Sequence, residues 1–301
     1  MSSESKPIFR EYIIGHKPGQ ELDRFPVEII DKRIHDFHFI LAFAADDYVE
    51  DPTTKKRQGK GNFSRDWNTE IFNAESVRRL KQDYPNVKVA ISFGGHGSQF
   101  PFNPLNREVW IDNAKKSLSY ILLEDFKGPL GSLIDGIDVY YDYIESSEDD
   151  FAYSIGKVID HLKTLLNGFV VSLAPSHSVL SHYERLYKAN THRVRWVNYQ
   201  YYYQPVPTTP EFVNLHKTLI DIFGSKNLLA GYSTDPNERS KIPLEVFIEG
   251  SIQLISSGLL PGLFISDAQS SANSDPHSTL RRRHRNSSLH LTDCLHSSLF
   301  L

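Results

Sequence analysis

The sequence predicts a single eight-stranded parallel βα-barrel (TIM barrel) on three observations. Eight short apolar runs alternate with segments whose apolar residues fall at helical spacing. The chain has 301 residues, a length at which such an alternation commonly closes into one barrel. A doubly wound open sheet, the runner-up, calls for a glycine-rich phosphate loop after the first strand, and Gly15-His-Lys-Pro-Gly19 is no such fingerprint.

The elements follow in order. Strands are expected over Arg10–Ile14 and Phe37–Ala44, both rich in aromatic and branched residues. The polar stretch Asp51–Gly61 reads as a loop, with Lys55, Lys56 and Arg57 as a solvated face. A helix over Ala74–Tyr84 leads to a third strand, Val87–Phe93. The next helix, Val109–Phe126, places Trp110, Ala114, Leu118, Ile121 and Leu122 on one stripe. The remaining strands are expected over Leu133–Tyr143, Phe169–Ala174, Arg195–Tyr202, Asn227–Tyr232 and Pro261–Ile265. Helices over Asp150–Leu166, Ser181–Ala189, Pro210–Phe223 and Leu244–Ser256 separate them. The barrel is expected to occupy residues 1–276. Residues 277–301, HSTLRRRHRNSSLHLTDCLHSSLFL, carry only a ragged apolar stripe and are expected to be a divergent, poorly ordered tail.

A formal charge of −4 gives no reason to expect nucleic acid or an anionic membrane as partner. Cys294 is the only cysteine, so no intrachain disulfide forms. The N-terminus has no apolar segment of signal-peptide length, and no stretch is long enough to span a bilayer, so a cytoplasmic or other intracellular protein is expected. The thirteen histidines show no metal-binding spacing, and no serine elbow, phosphate loop or Cys-x-x-Cys is present. Neither a metal nor a cofactor is expected.

The most informative stretch is Leu133–Ile144, LIDGIDVYYDYI. Asp138, Tyr140 and Asp142 share a parity, so on a strand they face the same way, expected to be into the barrel with Asp142 nearest its mouth. A buried strand carries acidic groups on its inner face only where they have partners or a task.

The spacing resembles the signature of glycoside hydrolase family 18, the chitinase family: Asp-Gly-apolar-Asp-apolar-Asp-any-Glu. Asp135, Gly136, Ile137, Asp138 and Val139 fit it, whereas Tyr140 stands where the family has Asp and Asp142 where it has the proton-donating Glu. Ser92-Phe93-Gly94-Gly95 is similar to the family's Ser-x-Gly-Gly motif, and Gln200-Tyr201-Tyr202 to a Gln-aromatic-Tyr motif of plant members. The order of the segments PIFREYI, DFHFILAFA, VKVAISFGG, LIDGIDVYYDYI, VSLAPS and GYSTDP resembles the narbonin-like branch of the family, seed globulins regarded as storage proteins.

The resemblance implies substrate-assisted catalysis, in which the sugar's acetamido oxygen attacks, a Glu protonates the leaving oxygen, and an Asp orients the acetamido group. It places Ser92, Gly94, Gln200, Tyr202 and Ser266 in the substrate cleft. Three positions depart. Asp142 is one methylene shorter than the family's acid, a retraction of about 1.5 Å, and a misplacement of about 1 Å can already cost about a hundredfold in rate. Tyr140 is uncharged and fills space the acetamido group needs. Ser266 stands where the family stacks a Trp under the sugar. A catalytically impaired protein of storage type is therefore expected. A carbohydrate-binding or inhibitor protein with a chitin-like oligosaccharide as partner, and a weak hydrolase using Asp142 as acid, stay open.

Overall fold

The computed structural model describes residues 7–15, 21–166, 168–235 and 242–272. Eight strands form the barrel: β1 (Ile8–Ile14), β2 (Asp36–Ala45), β3 (Val87–Gly95), β4 (Gly136–Tyr141), β5 (Val170–Leu173), β6 (Trp196–Tyr199), β7 (Leu228–Ser233) and β8 (Gly262–Ser266). Each pairs in parallel with its sequence neighbours, and β1 pairs with both β2 and β8, which closes the sheet. The expected fold class is the observed one. The tail expected over 277–301 lies outside the described residues.

Helices α1 (Ala74–Asp83), α2 (Arg107–Tyr120), α3 (Glu148–Leu165), α4 (Leu180–Asn190), α5 (Thr209–Phe223), α6 (Leu244–Ser256) and the short α7 (Ala268–Ala272) lie between or after the strands. Their starts are set by side-chain caps: Asn73 on α1, Asn106 on α2, Ser147 on α3 and Thr208 on α5. No helix among the described residues is long and apolar enough to cross a membrane.

Boundaries differ from the sequence expectation by a residue or two in most elements, and by more or in kind at four places. The fourth strand spans Gly136–Tyr141 rather than Leu133–Tyr143; just before it Asp135 keeps backbone bonds to Val89 and Val170, and its carboxylate also accepts from the Val89 amide (2.7 Å). The sixth stops at Tyr199, where Gln200 reaches the Pro175 carbonyl (3.0 Å) and Tyr201–Tyr203 tighten into a 3-10 turn. The helix expected to reach Phe126 is α-helical only to Tyr120 and continues as a wider π-turn over Ile121–Asp125. Part of the polar loop after β2 is a hairpin of Tyr48–Glu50 with Arg57–Gly59, while Lys55 and Lys56 make surface ion pairs with Glu50 and Glu145.

Strand alternation divides the core in two. Outward residues such as Phe39, Ile91, Val139, Tyr141 and Tyr199 pack against the helices. Inward residues Ile8, Tyr12, Ile40, Ala90, Tyr140, Trp196, Leu229 and Phe264 fill the barrel. The tyrosine-rich runs are sorted by this rule, with Tyr140 and Tyr202 inside and Tyr141 and Tyr201 in the helical layer.

Gly136 permits a close approach of β4 to β5, since a Cβ there would lie 2.3 Å from the Val170 carbonyl oxygen. Gly136→Ala should therefore lower stability by about 1–3 kcal/mol in urea unfolding, because a paired backbone cannot move aside. In the helical layer His216 is fully buried, with Nδ1 2.6 Å from the Tyr201 hydroxyl and Nε2 3.2 Å from the Leu259 carbonyl. A carbonyl only accepts, so Nε2 carries the proton and Nδ1 accepts from the tyrosine. Burial holds His216 down at about 4. Its contribution is present above the unfolded value near 6.5 and is lost as pH falls towards 4, on the order of 3 kcal/mol in all. The stability difference between wild type and His216→Gln should shrink over that window. A pH-independent difference would show that His216 does not titrate with unfolding.

Candidate functional site

The site is built outward from Asp138, an inward-facing residue of β4 with no solvent exposure. Its carboxylate accepts from Ser172 Oγ (2.6 Å), Ser92 Oγ (2.8 Å), Tyr12 Oη (2.9 Å) and Asn198 Nδ2 (3.0 Å). Ser92, Asp138 and Ser172 stand level across β3, β4 and β5. Asn198 also donates to Tyr12 Oη (2.9 Å), and its Oδ1 accepts from Arg10 Nη1 (2.9 Å). Arg10 is thus a countercharge reaching Asp138 through one amide. Burial lowers the guanidinium from its ordinary range and Asp138 opposes that; burial, reinforced by Asp138, drives the Tyr12 hydroxyl well up, so Tyr12 stays a donor.

Tyr140 lies one inward step above Asp138. Its hydroxyl donates to Gln200 Oε1 (2.9 Å). Tyr202 Oη donates to the same oxygen (3.1 Å), and Gln200 Nε2 donates to the Ala174 carbonyl (2.7 Å). The Tyr140 ring packs edge-on against Phe43 (5.0 Å) and Tyr12 (6.0 Å) and is 6% exposed. It therefore fills the barrel above Asp138 with a neutral, hydrogen-bonded phenol.

Asp142 sits just past the end of β4, at the mouth. Its Oδ1 accepts from the Gly97 amide (2.7 Å) and its Oδ2 pairs with His96 Nδ1 (2.6 Å). The His96 ring lies nearly parallel to Tyr203 (11°, centroids 6.2 Å apart). Both carboxylate oxygens are thus directed at the loop after β3.

The remaining sequence candidates fall around this column. Gly94, at φ 118°, has a backbone task, since a Cβ there would meet the Tyr140 carbonyl oxygen at 2.0 Å. Ser266 ends β8, 6% exposed, and offers no ring. Asp138, Tyr140, Gln200 and Tyr202 are brought together inside the barrel, and Asp142 is held at its rim. Sequence reasoning missed Arg10, Tyr12, Ser172, Asn198 and His96. Arg10 and Tyr12 carry a signal, a charged and a hydroxyl-bearing residue that share a face of a strand whose ends are apolar. His96 directly follows the double glycine but has no periodicity to mark it. No group of three or more metal-ligating side chains occurs among the described residues.

Comparison with known proteins agrees with this geometry. The model of Glycosyl hydrolases family 18 matches residues 36–235. Chitinase 1 of Tulipa saxatilis subsp. bakeri is 31% identical over 277 residues, 89% of this chain and 82% of the relative. The RuBisCO-associated protein of Glycine max is 32% identical over 170 residues, 54% of this chain and about half (53%) of that protein. Among solved structures, the catalytic domain of a family GH18 chitinase from the fern Peteris ryukyuensis superposes with a TM-score of 0.73 at 28% identity, covering 95% of this chain and 99% of the other. The chain belongs to glycosyl hydrolase family 18.

Removing the charge at the centre should be costly. Asp138→Asn keeps the shape but leaves Arg10 without its countercharge, and should lower stability by about 3–5 kcal/mol in denaturant unfolding. A loss below about 1 kcal/mol, the net worth of one ordinary hydrogen bond, would show that Arg10 does not depend on it.

Proposed function

We propose that this chitinase-like barrel does not hydrolyse chitin and serves as a protein of the narbonin kind, accumulated as a storage reserve. The observation that carries the first half is the engagement of Asp142, at the family's acid position, by His96 and the Gly97 amide. Tyr140 acts in the same direction. The family's mechanism needs an acetamido group in line with the anomeric carbon, and the phenol, fixed by Gln200, takes up that space. The storage half is supported by the order of segments shared with the narbonin-like branch; with one Cys and one Met, the chain would store nitrogen and carbon rather than sulfur.

A second reading, oligosaccharide binding without cleavage, is favoured by the parallel His96 and Tyr203 rings at the mouth, a flat face of the type on which sugars stack. Incubation with chitin tetramer and hexamer, followed by mass spectrometry, separates the readings. Silence in both cleavage and retention supports storage, and retained intact oligomer supports binding.

Wild type should show no cleavage above background. Asp142→Glu alone should give little, since Tyr140 still obstructs the acetamido group. Joined with Tyr140→Asp, it should give weak turnover, and Ser266→Trp should raise this more than additively, because groups serving one transition state act as a unit. Folding of each variant is checked first, as Tyr140→Asp buries a second carboxylate beside Asp138. Cleavage by wild type that Asp142→Asn abolishes would overturn the proposal.

A further inference from the structure

Arg10 uses only part of its donor capacity. Nη1 is taken by Asn198, while Nε and Nη2 meet no acceptor although the residue is fully buried. That edge of a guanidinium presents two parallel N–H groups, the geometry that grips an anion side-on. His38 stands next to it. Strand register sets Arg10 beside His38 across β1 and β2, and His38 shares the inward parity of Ile40 and Ala42. It is 3% exposed, and its Nε2 is also without a partner. Buried polar groups in folded proteins are almost always satisfied by protein, water or an ion, and a charged donor left bare is the most expensive exception.

The surroundings favour an anion. The charged groups that act on His38 are Arg10, Lys88 and Lys81, all cations, and with burial they hold its imidazole well below its ordinary value. Lys81 and Lys88 are each paired with a carboxylate at the barrel floor, Asp135 and Asp36, and Arg10 shares its charge with Asp138 through Asn198, so what marks the place for an acceptor is its row of bare N–H donors. Asp138 is already met by four donors on the other side of Asn198 and does not face these orphaned N–H groups through any hydrogen bond. A neutral His38 protonated on Nε2 supplies a third donor, on the strand position paired with Arg10.

We propose that Arg10 and His38 hold a small monovalent anion of halide size inside the barrel, between the Asp138 network and the floor. The ion completes the interior hydrogen bonding that the protein's own acceptors leave open, and it is a structural ligand separate from the sugar cleft at the mouth.

Crystals soaked in bromide test this directly. An anomalous difference peak within hydrogen-bonding reach of Arg10 Nε and Nη2 and His38 Nε2 is expected. In solution, replacing gluconate by chloride or bromide at constant ionic strength should raise the Tm of wild type by about 2–4 °C. The rise should vanish in His38→Leu, which loses a donor but leaves Arg10 and Asp138 matched. Arg10→Met is the less useful variant, since it strands the Asp138 charge and can fail to fold. Density that refines as water with no bromide signal, or a halide response unchanged in His38→Leu, would overturn the proposal.

Discussion

One buried negative charge organises this barrel. Asp138 lies on β4 and takes donors from β1, β3, β5 and β6 through Tyr12, Ser92, Ser172 and Asn198. Transferring a bare carboxylate from water into such an interior is prohibitive; with four donors and a cation one amide away it is tolerated. The consequence is geometric. A closed sheet of eight strands admits alternative registers if its interior is purely apolar, because leucine and phenylalanine pack in many ways. A carboxylate that must meet four particular donors admits few. A slip of β4 by one residue would turn Asp138 into the helical layer and Val139 into the barrel.

The altered positions near this hub are not gaps left by lost residues. Tyr140 has acquired a partner in Gln200, which is held in turn by Ala174 and shared with Tyr202. Asp142 has acquired His96 and a backbone amide. Each substituted side chain is satisfied within the protein, so the cleft has little need of a ligand to complete its hydrogen bonding.

Much of this was legible in the chain. The shared parity of Asp138, Tyr140 and Asp142 follows from the two-residue period of a strand. The alternation of eight runs with helices indicates closure, since an open sheet would need its own fingerprint. A glycine at the start of a strand marks a close backbone approach or a bend, and at Gly136 it is the Val170 carbonyl that approaches. Other features were not legible for identifiable reasons. Partners across a barrel depend on shear and closure, so nothing local to Arg10 or Asn198 announces that they meet 188 residues apart. Loop side chains such as His96 carry no period. Strand ends are decided by competing local bonds: the Asp135 carboxylate, not a main-chain carbonyl, takes the Val89 amide, and Gln200 turns the chain at Pro175.

The same motif therefore splits into two kinds of position. Asp135 and Gly136 fasten β4 to its neighbours: Asp135 grips the Val89 amide and Lys81, and Gly136 lets β5 close in. Asp138 anchors the interior. The two positions that depart, Tyr140 and Asp142, lie further along the strand towards the mouth, where a change of side chain meets rings and loop groups that can rearrange around it. Substitution at the floor or the hub has no such freedom, because it meets paired backbone or a buried charge. The frame at the floor and the hub is thus fixed by backbone and charge, while the residues at the mouth are held by side-chain and loop contacts.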